Sequence, residues 1–309
     1  MKAHLLKGQI DVPPAKKMTC AVYVTYHPDT KFPDRMARIG LQVAYTVIVD
    51  NNSNEEAVKM LRALCGAGKC ELIENEENLG IATALNQGIK RAIDLGYDWA
   101  LTLDQDSWPE VDLIATFSEI YNTHPDSEKV KMIGCNYRYP ITGHSFITCE
   151  DPKARFIETH VVITSCSLMS LRAFEEVGPF RDDFFIDEVD HEYCLRLRSY
   201  DYKVVISCKP LMTHYLGNQT RHKLLWKRPI SSNHPPLRRY YITRNRIVVY
   251  KKYIHNEPQW VKKSLYTAMM ETALIILYEN KKLEKFRAIM LGIWHALSGR
   301  MGRLNKAFS

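Results

Sequence analysis

The 309-residue chain is 46% apolar and 25% charged, enough to bury a large core and unlike a disordered or fibrous sequence. Its net charge of +7 is unevenly spread: residues 1–220 hold 23 Lys/Arg against 31 Asp/Glu, whereas residues 221–255 hold 10 basic residues and no acid. No apolar run approaches the ~18 residues of a spanning helix, and the first residues lack the apolar core of a signal peptide, so a cytosolic protein with a basic tail is expected.

In chain order, "CAVYVTY" (20–26) and "YTVIVDN" (45–51) read as buried strands. "NEEAVKMLRALCG" (54–66) reads as a helix capped by Asn54 and closed by Gly66. "CELIENE" (70–76) is a third strand, "IATALNQGIKRAIDLG" (81–96) a helix, and "DWALTLDQD" (98–106) a fourth strand. A helix over 109–124 is expected to start with Pro109 in its first turn, followed by a strand over 130–136. This alternation implies right-handed βαβ units and a mostly parallel sheet with helices on both faces. Beyond residue 140 the pattern loosens. Strands are expected over 159–170 and 203–216, a short helix over 172–178, and a helix from about Asp187. A polar, Pro-rich loop over 217–237 precedes three helices over 238–254, 258–279 and 281–297. Eight cysteines without metal-site spacing read as reduced core thiols.

In a parallel sheet, ligands gather beyond the carboxyl ends of the strands. Here those ends carry Thr25-Tyr26-His27, Asp50 to Ser53, Glu74-Asn75 and Asp104 to Ser107. Asp104 and Asp106, one residue apart, are either a solvated turn or a cation site. Two such carboxylates repel unless a cation lies between them, and their oxygens suit Mg2+ or Mn2+ completed by phosphates. Residues 187–192 hold four acids, Asp187, Glu188, Asp190 and Glu192. On a helix Asp187 and Asp190 would share a face, either favouring the helix dipole or supplying a general base. His214, at the end of the last strand of the body, is structural or a ligand. Asn78 and Gly80 precede a helix N-terminus, where they cap the helix or meet an anion or nucleoside. The glycine spacing there is not that of a dinucleotide fold. Arg238 and Arg244, within "PPLRRYYITRNR", meet diphosphate oxygens or form a solvated basic face.

Together, "VTYHPD", "VDNNS", "NLGIATALNQG", "LTLDQDS", "GPFRDDFFIDEVDHEYCLR", "THYLG" and "RRYYITRN" resemble glycosyltransferase family 2, and within it the bacterial rhamnosyltransferases. The resemblance spans roughly residues 18–250 and is weakest over 255–309. It implies a GT-A-type nucleotide-binding α/β sandwich over 18–220, with a nucleotide-sugar half to about 136 and an acceptor half from 137. A basic loop and C-terminal helices follow over 221–309.

By this resemblance Thr25, Tyr26, His27, Asp50 and Asn52 line the nucleoside pocket, and Asn78, Gly80 and Asn86 border the base and ribose. Asp104 and Asp106, with Gln105 between them and His214 as a further metal ligand, hold the donor through Mg2+ or Mn2+. Asp190 is the base, with Asp187 its rival. The implied activity is inverting, metal-dependent transfer of a sugar, rhamnose from dTDP-rhamnose being favoured, to a saccharide or lipid-linked saccharide in surface polysaccharide synthesis. UDP- or GDP-sugar donors, or a non-catalytic sugar-nucleotide or anionic-surface binder, are the alternatives. The body shows no nucleic-acid module. The C-terminal helices mix apolar residues with Lys, Arg and Trp, and so read either as a peripheral contact with an anionic membrane at its cytoplasmic face or as a packing or homodimer seam.

Overall fold

The computed structural model describes residues 12–66, 68–139, 143–213, 220–221 and 230–304. The elements, in chain order, are β1 (Thr19–Thr25), α1 (Phe32–Gly40), β2 (Tyr45–Asp50), α2 (Glu55–Cys65), β3 (Cys70–Glu74), α3 (Ile81–Asp94), β4 (Trp99–Asp104), β5 (Trp108–Pro109), α4 (Leu113–Thr123), β6 (Val130–Arg138), β7 (Phe156–Glu158), β8 (Ser167–Ser170), α5 (Leu171–Val177), α6 (Val189–Ser199), β9 (Lys203–Thr213), β10 (Thr220–Arg221), β11 (Ile230–Ser231), α7 (Pro236–Tyr253), α8 (Pro258–Tyr278) and α9 (Lys282–Ser298).

The chain divides into two units. The first comprises the described residues of Met1–Asn78, Ala84–Pro179 and Arg196–His214; the second comprises those of Leu79–Thr83, Phe180–Leu195 and Tyr215–Ser309. The second unit thus takes in two short segments from the body of the sequence as well as the C-terminal helices.

The first unit is built on one sheet in the order β3-β2-β1-β4-β8-β6-β9-β5, with β7 paired to β9. β1 pairs parallel with both β2 and β4, and β2 with β3. As the middle strand of this group β1 is buried at every residue, which is why its sequence is apolar without alternation. β4 and β6 each pair antiparallel with β8, while β6 and β9 run parallel, so the expected α/β sandwich has a sheet that is parallel at its start and mixed beyond. On α2 the Asn54 side chain accepts the Ala57 N–H at 3.0 Å, a cap worth about 1 kcal/mol, while Ala57 and Leu61 turn inward.

Several sequence expectations are corrected. Trp108–Pro109 is not the start of a helix. It forms β5, antiparallel to Thr213 and Met212, and α4 begins at Leu113. Pro109 is tolerated because β5 is the edge strand of the sheet. Of the strand expected over 159–170 only Ser167–Ser170 forms, and α1 was not foreseen. Cys65 pairs with Cys70 and Cys149 with Cys208, so the reading of eight reduced thiols holds for Cys20, Cys135, Cys166 and Cys194, all buried. The Cys149 pair spans 59 residues, a closure that spacing alone does not reveal. Burial raises the Cys20 thiol to about 12 and those of Cys135 and Cys166 further, which leaves them packing groups rather than nucleophiles.

In the second unit β10 and β11 form a two-stranded ribbon, and α9 packs along α7. The three C-terminal helices lie within a residue or two of the ranges expected. α9 meets α7 through small residues, Ala288, Gly292 and Ala296. A Cβ on Gly292 would stand 2.8 Å from the Tyr240 carbonyl oxygen, so only glycine permits this approach. The polar segment expected over 217–237 falls partly outside the described residues.

Candidate active site

In the first unit the parallel registers set Thr25 beside Asp50 and Val24 beside Asp104, so the carboxyl ends of β1, β2 and β4 reach one edge of the sheet. Thr25 Oγ1 donates to Asp50 Oδ1 at 2.7 Å, and both groups are buried. The Ser53 N–H donates to Asp50 Oδ2 at 2.8 Å and the Ser53 hydroxyl to Oδ1 at 2.5 Å. That hydroxyl in turn accepts the His27 N–H at 2.7 Å, and His27 Nδ1 accepts the Asn54 N–H at 3.1 Å. Asp50 is therefore the knot that ties the two strand ends together. His27 and Asn52 both hold left-handed backbone, at φ 53° and 67°.

Gln105 makes a two-point clamp. Its Oε1 accepts the Tyr26 N–H at 2.7 Å and its Nε2 donates to the Tyr26 carbonyl at 3.1 Å. The clamp fixes the Asp104–Asp106 turn against the segment after β1, where the exposed Tyr26 ring leans on the His27 ring, 4.2 Å between centroids. Asp104 is half-buried, Asp106 exposed and Ser107 fully buried. Ser107 anchors the turn from below through a short hydrogen bond with the Ser165 hydroxyl. Trp108, next in the chain, lies under the guanidinium groups of both Arg35 and Arg38.

Asn75 and Asn51, read from the sequence only as polar strand ends, and Gln87, which was not singled out, form a second polar knot. Asn75 Nδ2 donates to Asn51 Oδ1 at 3.0 Å and to Gln87 Oε1 at 2.9 Å, and Gln87 Nε2 returns a bond to Asn75 Oδ1 at 2.9 Å. Asn78 and Asn86 are half-buried, before and within α3. His214 lies outside the described residues, and among those described no group of three or more His, Cys, Asp or Glu is placed to hold a metal.

In the second unit the acid cluster is not the helix face that its spacing suggested. α6 begins at Val189, whereas Phe185, Asp187 and Glu188 all take left-handed backbone, at φ 63°, 64° and 61°. Asp187 and Asp190 are therefore not partners one turn apart. Such backbone costs ordinary residues on the order of 1 kcal/mol or more each, and here the neighbours supply what holds it. Asn245 Nδ2 donates to the carbonyls of Phe184, Ile186 and Asp187 at 3.0, 2.8 and 2.9 Å. Arg244 donates to the carbonyls of Asp183 and Phe184, both at 3.1 Å, and of Gly302 at 2.6 Å. Arg244 is fully buried. The expectation that it meets a diphosphate is thus corrected: its guanidinium is committed to carbonyl oxygens and acts as scaffold. Gly80 belongs to the same structure. Its φ is 88°, and a Cβ there would lie 2.5 Å from the Phe185 carbonyl oxygen, which accepts the Ile81 N–H at 2.7 Å.

The four acids then part in character. Asp187 is gripped by Arg238, Nη2 to Oδ1 at 2.9 Å and Nε to the same oxygen at 3.1 Å, so Arg238 faces a carboxylate. Burial nonetheless pushes the Asp187 carboxyl up, against the pull of Arg238. Burial alone would also raise Glu188, but His191 at 2.8 Å and Arg246 at 2.9 Å outweigh it and hold its carboxyl at about 2. Conversely burial would lower His191, yet Glu188 and Asp190 raise it to about 9, so it is an imidazolium at neutral pH. Glu192 is buried and accepts from Lys252 at 2.8 Å and from the Tyr253 hydroxyl at 2.9 Å. Asp190 stands half-buried in the first turn of α6, its Oδ1 accepting the His191 N–H at 2.8 Å.

Comparison with known proteins agrees with these features. Residues 45–178 match the model of "Glycosyl transferase family 2". Over 296 residues, 91% of this chain and 96% of the relative, the sequence is 29% identical to a protein of Shigella flexneri described as dTDP-rhamnosyl transferase RfbF. Among solved structures, residues 1–349 of TarS from S. aureus superpose with a TM-score of 0.61 at 10% identity, covering 91% of this chain and 81% of that one. The mannosyltransferase PcManGT from Pyrobaculum calidifontis superposes with a TM-score of 0.58 at 14% identity, covering 96% and 92%. The fold is that of the GT-A glycosyltransferases, and residues 45–178 are similar to family 2 of these enzymes. The protein is a glycosyltransferase, similar in sequence to a bacterial protein described as a rhamnosyl transferase.

Proposed function

We propose that this glycosyltransferase moves rhamnose from dTDP-rhamnose to a saccharide or lipid-linked saccharide hydroxyl, with inversion and with the help of a divalent cation. The donor is suggested by the relative described as a dTDP-rhamnosyl transferase. The observation that carries the reading is the arrangement of Asp104 and Asp106 at the end of β4, clamped by Gln105 next to the Thr25–Asp50 pair.

The cation fits the donor set. Asp104 and Asp106 offer hard oxygen ligands that phosphate oxygens would complete, and His214 would add a nitrogen. PcManGT was solved with GDP-Man and Mn2+. When bound, Mg2+ or Mn2+ would neutralise charge growing on the departing diphosphate. The chain's own groups do the rest. Tyr26 and His27 offer an aromatic shelf for the base, and Thr25, Asp50 and Asn52 shape the pocket behind it. Asp190 takes the proton from the acceptor hydroxyl as that oxygen bonds to the anomeric carbon and the carbon–diphosphate oxygen bond breaks. One displacement inverts the configuration. Asp190 is preferred to Asp187 because the latter is engaged by Arg238.

Thermal shift of the full chain with dTDP-rhamnose, UDP-GlcNAc and GDP-mannose, each with Mn2+, Mg2+ or EDTA, tests the reading. Stabilisation by dTDP-rhamnose that vanishes in EDTA is expected. Equal response to all three donors, or no dependence on metal, would overturn it.

A further inference from the structure

The outer surface of α8 and α9 is apolar where a helix of a water-soluble domain is normally polar. On α8, Tyr266, Met269, Ile276 and Leu277 recur at helical spacing on the outward side, and Met269 is 71% exposed. The inward side of the same helix holds polar groups: Ser264 bonds the Tyr250 hydroxyl at 2.8 Å, and Glu271 accepts from Arg239 at 3.1 Å and Arg246 at 3.3 Å. On α9, Leu283, Phe286, Met290, Trp294 and Leu297 form one outward stripe, 77% exposed at Leu283 and 60% at Trp294. The inward side of α9 packs against α7 through Ala288, Gly292 and Ala296, with Leu291 against Tyr240 and Tyr241 and His295 bonded to the Tyr240 hydroxyl at 2.7 Å. Both helices thus turn a stripe of large apolar groups away from their own fold, beyond what α8 buries at Trp260, Val261 and Ile275.

Charge identifies what covers this face. Lys262 and Lys263 stand exposed at the head of α8, Lys281 and Lys282 at the corner between the helices, Arg287 beside the α9 stripe and Arg300 just beyond it. Against them the described part of 258–304 exposes one acid, Glu284. A second copy of the chain docked on this face would bring two identical sets of cations together. Among the described residues no helix is long and apolar enough to cross a membrane, so the helices would lie in the interface rather than span it. We propose that α8 and α9 dock the protein on the surface of an anionic lipid bilayer, with the two stripes inserted among the acyl chains near the headgroups and the lysines and arginines against phosphate. The inference stands on this surface alone and does not depend on the sugar donor or on the transfer chemistry.

Co-sedimentation of the full chain with vesicles of phosphatidylcholine alone, and of phosphatidylcholine with phosphatidylglycerol, tests it. Binding to the anionic vesicles that weakens as salt is raised is expected. Met269→Glu with Met290→Glu should lower partitioning at least about tenfold, and Lys262→Glu with Lys282→Glu should abolish the preference for anionic lipid. These positions are exposed, and unchanged thermal midpoints would show that the variants fold. Absence of wild-type binding to either vesicle would overturn the proposal. So would equal binding to both, or a dimer in light scattering that the Met269/Met290 variant dissociates while vesicles remain unbound.

Discussion

Arg246 Nε lies 2.9 Å from Glu188 Oε1, and both side chains are almost shut off from solvent. Glu188 is also bonded by His191, and Arg246 reaches on to Glu271 at 3.3 Å. Removing one member of such a set leaves a buried charge without its partner, which typically costs about 3–5 kcal/mol. Arg246→Met should therefore lower the denaturation midpoint sharply, whereas changing the exposed Arg287 should not. Equal midpoints for the two variants would refute the assignment.

The same cluster fixes a pH profile. The Glu188 carboxyl is held at about 2, below its ordinary 4.5, so its contribution to stability is present above pH 4.5 and disappears as pH falls through 2. His191 is held at about 9, above its ordinary 6.5, so its contribution is present below pH 6.5 and is lost as pH rises through 9. Unfolding free energy should show a plateau between pH 4.5 and 6.5 with a decline on either side. His191→Gln should flatten the alkaline limb in urea titrations at fixed ionic strength.

Gly80→Ala should cost at least about 2 kcal/mol. The left-handed backbone penalises any Cβ, and the new methyl would collide with the Phe185 carbonyl. Chemical denaturation measures the loss directly, and Gly96→Ala, at φ 82° with open space around it, supplies the comparison for backbone strain alone.

For catalysis, Asp190→Asn should keep donor-induced stabilisation yet lower transfer by about 10²–10⁴, the usual worth of a general base. Asp187→Asn should lose much less, its principal effect being to release Arg238. A product assay on the two variants decides between them, and the reverse ranking would move the base to Asp187.

Asp106→Asn should abolish the difference between Mn2+ and EDTA in donor binding while leaving the fold intact, because its side chain is exposed. Calorimetry of dTDP-rhamnose with and without the metal reads this. A variant that still responds to Mn2+ like the parent would place the cation elsewhere.

How much of this was legible in the sequence differs between the two units. β1, β2 and β4 announce themselves because strands buried on both faces must be apolar throughout, and their polar ends follow from where such strands stop. Trp108–Pro109 misled because proline favours a helix's first turn, while the pairing with Thr213 and Met212 that overrides it is remote in sequence. The acid cluster misled for a related reason. Helical spacing was read through Asp187, but three non-glycine residues with left-handed backbone leave no periodic trace. Arg244 looked like a ligand for phosphate because nothing in its neighbourhood along the chain shows that the carbonyls of residues 183, 184 and 302 converge on it. Asn245, which holds three carbonyls, carried no signal beyond its place in "TRN".

Gly302 offers a last consequence. Its N–H donates to the Asp183 carbonyl at 2.7 Å, its own carbonyl accepts from Arg244 at 2.6 Å, and two residues later the Leu304 N–H meets the Tyr241 hydroxyl at 2.8 Å. The stretch after α9 therefore works as a latch on the loop that presents Asp187 and Asp190, more than a hundred positions upstream. A protease that nicks the chain near Arg300 would spare every acid yet unfasten the loop that aims them, and a tag fused at that end would pull on the same fastening.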